Sequence, residues 1–186
     1  MEAPPTPFFS ICIPQYNRTS HLIAALRMLT RQGFTNFEVC ISDDRSPDER
    51  QTEVETFLRD SGLTFTFRRQ ERNLRYDGNL RAAIQLARGR YCLLMGNDDR
   101  LLDEHSLATL HRLLVEHSLP EVVITNYEGA GKQVRRARAT KVFPGTPLLA
   151  ATRFRDFSFV SGILFDTRAA QTNATCLLYT SDAADE

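Results

Sequence analysis

Twice in this chain an apolar run of strand length ends in two adjacent carboxylates, and that repeat constrains the fold more than any other feature. Phe37-Glu38-Val39-Cys40-Ile41-Ser42 runs straight into Asp43-Asp44, and Tyr91-Cys92-Leu93-Leu94-Met95 passes through Gly96-Asn97 into Asp98-Asp99. Short apolar runs bounded by turn residues read as buried strands. In open α/β sheets ligands bind outside the carboxyl ends of the strands, so two acidic strand tips can converge on one ligand. Hard divalent cations take oxygen ligands, and Mg²⁺ or Mn²⁺ is typically held by one or two carboxylates while phosphates and waters complete the shell. Asp98 and Asp99 are therefore candidate metal ligands. The competing reading is local, because Gly, Asn and Asp favour turns and helix caps for backbone reasons, and Gly96-Asn97-Asp98-Asp99 fits such a turn.

The rest of the chain alternates strand-like and helix-like periods. Phe8 to Pro14 reads as a first strand, followed by an amphipathic helix from about residue 20 to 31 with Leu22, Leu26 and Leu29 on one face. A second helix is expected to start at Ser46-Pro47-Asp48-Glu49, where Ser46 can cap, Pro47 suits the first helical position and the acids suit the dipole. Leu63 to Arg68 reads as a third strand and Asn73 to Asp77 as a loop. A helix then follows from Asn79 to Ala87, with Leu80, Ala83, Ile84 and Ala87 inward and Gly89 as its terminator. After strand 91–95 come a helix carrying Leu107, Leu110, Leu114 and Val115 and a buried strand over Glu121 to Thr125. From Tyr127 to Phe154 Gly, Pro and Arg break the pattern, and that stretch is expected to cover the acidic edge. Phe157 to Phe165 resumes as a strand with Gly162 inside it. Repeated β-α units predict an α/β fold, a mostly parallel, doubly wound sheet flanked by helices.

A length of 186 residues with 42% hydrophobic content suits one well-buried domain. With 23 basic and 23 acidic residues there is no global field of the kind that binds nucleic acid. Lys132, Arg135, Arg136, Arg138 and Lys141 do cluster, and they suit either an anionic substrate or headgroup or a solvated hairpin face. Cys12, Cys40, Cys92 and Cys176 lack the paired spacing of a zinc site, and the first three read as small buried hydrophobes. No basic-then-apolar leader and no membrane-length apolar run is present in the sequence, so a cytoplasmic location is the expectation, with peripheral association at the inner face of the membrane as a further one. The final residues, Cys176 to Glu186, continue no periodic element. Residues 1–170 are therefore expected to form the domain, incomplete at its C-terminus, and 171–186 to be a non-native tail.

These blocks together resemble the family 2 inverting glycosyltransferases of the GT-A (Rossmann-like) fold, in the branch of abequosyl- and rhamnosyltransferase-like enzymes that assemble surface polysaccharides. Ser10-Ile11-Cys12-Ile13-Pro14-Gln15-Tyr16-Asn17-Arg18 resembles the family's first strand and nucleotide-binding loop. Glu38 to Asp48 resembles its second block, with Asp44 at the position that reads the nucleotide base and Arg45 in place of the usual Gly or Asn. Asn73 to Tyr91 resembles the loop and helix that lead to the metal motif. Gly96-Asn97-Asp98-Asp99 then stands where the family has Asp-x-Asp, with Gly96 replacing the first acid of the common Asp-x-Asp-Asp form. Order, spacing and strand context agree across all four blocks.

The resemblance implies a nucleotide-diphosphate-sugar donor, a glycan or lipid-linked acceptor and Mn²⁺ or Mg²⁺ as cofactor. It implies nucleotide-sugar binding by Pro14, Tyr16, Asn17, Arg18, Asp44, Arg75 and Asp98, and metal binding by Asp98 and Asp99. Physically, a divalent ion neutralises charge developing on a diphosphate leaving group, a Tyr ring can pack against a nucleoside and Arg can approach phosphate. Inversion needs a general base within hydrogen-bond reach of the acceptor hydroxyl. Asp156 and Asp166 are the nearest acids to the last strand, and neither matches the family's pattern. Two other readings remain: a fragment that binds nucleotide without turnover, and a sugar-phosphate nucleotidyltransferase, whose Gly-rich first loop Gln15-Tyr16-Asn17-Arg18 lacks.

Overall fold

A computed structural model describes residues 6–129, 132–133 and 161–172. Its elements are β1 (Phe9–Gln15), α1 (Thr19–Leu29), β2 (Phe37–Asp43), α2 (Gln51–Asp60), β3 (Phe65–Arg69), α3 (Arg75–Gln85) and β4 (Tyr91–Leu94), then α4 (Ser106–Glu116), β5 (Val122–Ile124), β6 (Glu128–Gly129), β7 (Lys132–Gln133), β8 (Ile163–Asp166) and α5 (Thr167–Thr172). Among the described residues six strands form one sheet in the order β3-β2-β1-β4-β8-β5. The β1–β2, β2–β3 and β1–β4 ladders are parallel, whereas β8 runs antiparallel to both β4 and β5. The expected α/β architecture is what the chain adopts, with an antiparallel margin.

Alternation along the strands decides which layer each side chain enters. Phe9, Ile11 and Ile13 of β1, Val39 and Ile41 of β2 and Leu93 of β4 pack with Leu22 and Leu26 of α1, Val54 and Leu58 of α2, and Leu107 and Leu114 of α4. The opposite face carries Cys12, Cys40, Cys92 and Leu94 against Leu80, Ala83 and Ile84 of α3. Those three cysteines are fully buried free thiols, as expected. Burial raises Cys12 well above the ordinary thiol range, and the side-chain contact with Cys12 followed by burial raises Cys40, so both stay protonated. Cys176, Asp156, residues 157–160 and the basic side chains from Lys132 to Lys141 lie outside the described residues.

Several boundaries differ from the expectation, each for a visible reason. Helix α2 begins at Gln51 and not at Ser46, because the Ser46 hydroxyl is used elsewhere: it donates to Asp43 and accepts the Asn17 N–H at 2.9 Å. Helix α3 begins at Arg75, inside the stretch expected to be loop, since Asp44 accepts the Leu74 N–H at 2.5 Å and fixes the preceding turn. Gly89 does not terminate α3, which ends at Gln85. It lies against β1, where a Cβ would sit 2.9 Å from the Phe9 carbonyl carbon and the Ser10 nitrogen. Strand β5 is a sheet edge and not a buried strand, with Val122 half exposed, and Val115 of α4 faces solvent. Gly162 precedes β8 at φ +82° instead of lying within it. Residues 171–172 continue α5, and Gln171 donates to the carbonyls of Ile84 and Ala87 at 3.1 and 2.9 Å.

Candidate functional site

At the C-terminal ends of β1, β2 and β4 lies an open cleft of about 730 Å³. Pro14, Tyr16, Asn17, Arg18, Asp44, Arg75, Asp98 and Asp99 all line it, so the structure brings together the residues expected to bind nucleotide sugar and metal. The parallel register accounts for this, since Gln15 of β1 lies beside Asp43 of β2 and the end of β4 lies beside Cys12.

One wall is the loop after β1. Asn17 and Arg18 are both left-handed, at φ +54° and +53°, a conformation that L residues adopt at a cost of about 1 kcal/mol each or more. A set of amide ties holds them there. Buried Gln15 donates to the Asn17 carbonyl at 2.5 Å and accepts from the Asn97 side chain at 2.8 Å, and Asn97 also donates to the carbonyls of Tyr16 and Asn17. The nucleotide-loop backbone is thereby fastened to the acidic loop. Tyr16 projects from this wall, 45% exposed.

Opposite stands the wall formed by Asp44 and the start of α3. Burial raises the Asp44 carboxyl, the N–H groups of Leu74 and Arg75 pull it back, and the neighbouring Asp43 charge adds to the rise. Arg75 is left-handed at φ +59°, with its N–H donated to the Asn73 side chain at 2.8 Å. Tyr76 and Asn79 also line the cleft and were not singled out in the sequence. The Tyr76 phenol is raised by burial and by the charges of Asp77 and Asp99. Asn79 donates to the Gln15 carbonyl at 3.0 Å, while its buried Oδ1 has no hydrogen-bond partner among the described residues.

Between the walls sits the acidic loop. Asp98 forms an ion pair with Arg18, and Asp99 accepts the Ser161 hydroxyl, which itself accepts the Gly96 N–H at 2.7 Å. Ser161 arrives from 65 residues downstream, and no local signal marks it as a partner of this loop. Asp43 points away from the cleft, bonding Ser46 and lying 3.8 Å from Arg69. Asp166 pairs with Tyr91, at the end of β4 remote from the acidic loop, which removes it as a candidate base.

Gly96 provides a test of whether this loop suits a divalent cation. A Cβ there would lie 2.7 Å from Asp99 Oδ2, 3.3 Å from Asp98 Oδ1 and 3.3 Å from Ser161 Oγ. Three oxygens thus converge on the space that a side chain would fill, and the donor set is the hard one that Mg²⁺ and Mn²⁺ require. Among the described residues no group of three or more His, Cys, Asp or Glu forms a complete metal cage. Two carboxylates completed by phosphate and water fit that condition.

A mostly parallel sheet with helices on both faces and a carboxylate loop at its C-terminal edge is the GT-A architecture, and TarS 1–349 of S. aureus shares it with a TM-score of 0.72 at 25% identity, over 89% of this chain and 48% of that one. Residues 10–170 match the family model of Glycosyl transferase family 2, and the chain belongs to that family. Over 107 residues it is 36% identical to abequosyltransferase RfbV of Salmonella typhimurium, covering 56% of this chain and 32% of the relative. Over 109 residues it is 36% identical to the amylovoran biosynthesis glycosyltransferase AmsB of Erwinia amylovora, covering 56% and 36%. The chain spans about a third of the length of these curated relatives.

Proposed function

We propose that the chain is the donor-binding portion of an inverting glycosyltransferase that moves a sugar from a nucleotide-diphosphate sugar to an acceptor hydroxyl in cell-surface polysaccharide assembly. The observation that carries this reading is the convergence of the β1 loop, Asp44, Arg75 and the Asp98–Asp99 loop on one cleft. Support also comes from RfbV and AmsB, named for abequose transfer and amylovoran synthesis, and from TarS, which has been solved with UDP-GlcNAc.

In this reading the Tyr16 ring packs on the nucleoside and Asp44 accepts a hydrogen bond from a base N–H, while Arg75 closes on the nucleotide from the facing wall. Pro14 and Asn17 shape the loop, and Arg18 reaches the diphosphate. Asp98 and Asp99 hold Mn²⁺ or Mg²⁺, which when bound neutralises charge developing on the departing nucleoside diphosphate. The acceptor is a glycan or lipid-linked hydroxyl, reached from the cytoplasm or the inner membrane face. Among the described residues no helix is long and apolar enough to cross a membrane.

The test is calorimetric titration of the chain with UDP, GDP, CDP and dTDP, each with Mn²⁺ and with chelator. Binding of one nucleotide only in the presence of metal is the expected result and names the base. Absence of binding by a folded chain would overturn the donor-site assignment.

A further inference from the structure

Arg18 places a guanidinium on Asp98, where the chemistry of the loop calls for a divalent cation. We propose that Arg18 is a resident counter-ion: it pairs with Asp98 and neutralises it, and it passes to the diphosphate oxygens when metal and nucleotide bind. The inference rests on the donor-site reading above and adds a coupling device to it.

Three observations support the exchange. The first is that the pair is exposed, with 61% of the Arg18 side chain and 41% of the Asp98 side chain open to solvent, so the head group can leave without stranding a buried charge. The second is that the root is fixed. The Asn17 N–H donates to Ser46, the Asn17 carbonyl accepts from Gln15 and Asn97, and Asn17 and Arg18 are both left-handed. A strained, tied backbone carrying a solvent-exposed guanidinium is a swivel with a set origin, and unusual backbone held at a ligand cleft is where such devices concentrate.

The third observation is electrostatic. Asp98 and Asp99 both approach the point above Gly96, within 3.3 Å, so without a cation the loop sets two like charges side by side. Arg18 relieves that repulsion. A dication on the same carboxylates does the same and repels Arg18, for which diphosphate oxygens are the natural bidentate replacement. It follows that metal alone must displace Arg18, that nucleotide alone must pull it away, and that the two together bind cooperatively, each raising the other's affinity by the same factor.

The test is a Mn²⁺ titration of the full chain without nucleotide, read from the electron paramagnetic resonance of free Mn²⁺. Compared with the unaltered chain, Arg18→Gln is expected to bind Mn²⁺ about two- to five-fold more tightly, the scale an exposed ion pair supports. Arg18→Lys should remain near the unaltered affinity. The gain should vanish in an Asp98→Asn background and shrink as salt is raised. With inorganic pyrophosphate as the probe, its Mn²⁺-dependent binding should weaken in Arg18→Gln, opposite in sign to the metal result. Mn²⁺ affinity unchanged or lowered in Arg18→Gln would overturn the exchange and leave the metal site standing. No Mn²⁺ binding by any folded variant would overturn both.

Discussion

An acid–arginine pair stands near each end of the central strands, Glu38 with Arg88 and Asp98 with Arg18, and the two pairs are built differently. Toward the N-terminal ends, Glu38 is fully buried and takes four donors: the Ser10 hydroxyl at 2.7 Å, the Arg88 N–H at 2.7 Å, and two guanidinium nitrogens of Arg88 at 3.0 and 2.7 Å. Ser10 in turn accepts the Gly89 N–H at 2.8 Å. Beyond the C-terminal ends, Asp98 is exposed and paired with Arg18, whose side chain is largely in solvent. A saturated buried acid fastens the chain, because removing any donor uncovers charge in a region of low dielectric. An exposed acid with a mobile partner holds its position loosely and can accept another cation.

That contrast is broken most completely by Asp98→Ala with Asp99→Ala. The double variant should stay folded and lose metal-dependent nucleotide binding in calorimetry; nucleotide affinity in Mn²⁺ equal to that of the unaltered chain would sink the assignment. Next comes Arg88→Ala, which should lower the unfolding free energy in urea by about 2–3 kcal/mol, below the usual loss for a broken buried pair because Ser10 and the residue-88 N–H still serve Glu38. Its folded form should bind nucleotide normally. Gly96→Ala sharpens the comparison from the other side. The added methyl presses on flexible carboxylate ends, so stability should change by about 1 kcal/mol or less, whereas Mn²⁺ affinity should fall about tenfold through displaced ligands.

The smallest effect is a pH dependence. Burial alone would raise Glu38, but Ser10, the Arg88 N–H and the Arg88 guanidinium outweigh it and hold the carboxyl below its ordinary value. An acid lowered in the folded state adds stability above its unfolded pKa of about 4.3, and that stability is lost as pH falls through the folded value. Asp44 is raised, so acidification relieves it and offsets part of the loss. In urea titrations across acidic pH, the gap between the unaltered chain and Arg88→Ala should therefore narrow as pH falls.

The sequence displayed what local pattern can display. Strands β1, β2 and β4 are short apolar runs whose ends are marked by Pro, Asp and Gly, and their acidic tips were visible because parallel register makes equivalent strand ends into neighbours. Local pattern misleads where a side chain serves a distant partner. Ser46 looked like a helix cap, but its hydroxyl spans β2 and the β1 loop. Gly89 looked like a helix terminator, but its lack of a side chain admits the backbone of β1. Gln15 carried no signal, since nothing nearby in the sequence shows that one amide will tie Asn17 to Asn97. The antiparallel margin was hidden for the same reason, because the partner of β4 on that side comes from beyond residue 160.

The placement of β8 also sets a schedule. Because β8 sits between β4 and β5, strand β5 has no sheet neighbour when it leaves the ribosome and waits through some forty residues of synthesis for one. The same late arrival brings Ser161, the latch on Asp99 and the Gly96 N–H. The β3-β2-β1-β4 core is complete in sequence by residue 94, whereas the acidic loop gains its Ser161 latch only from the segment that leads into β8.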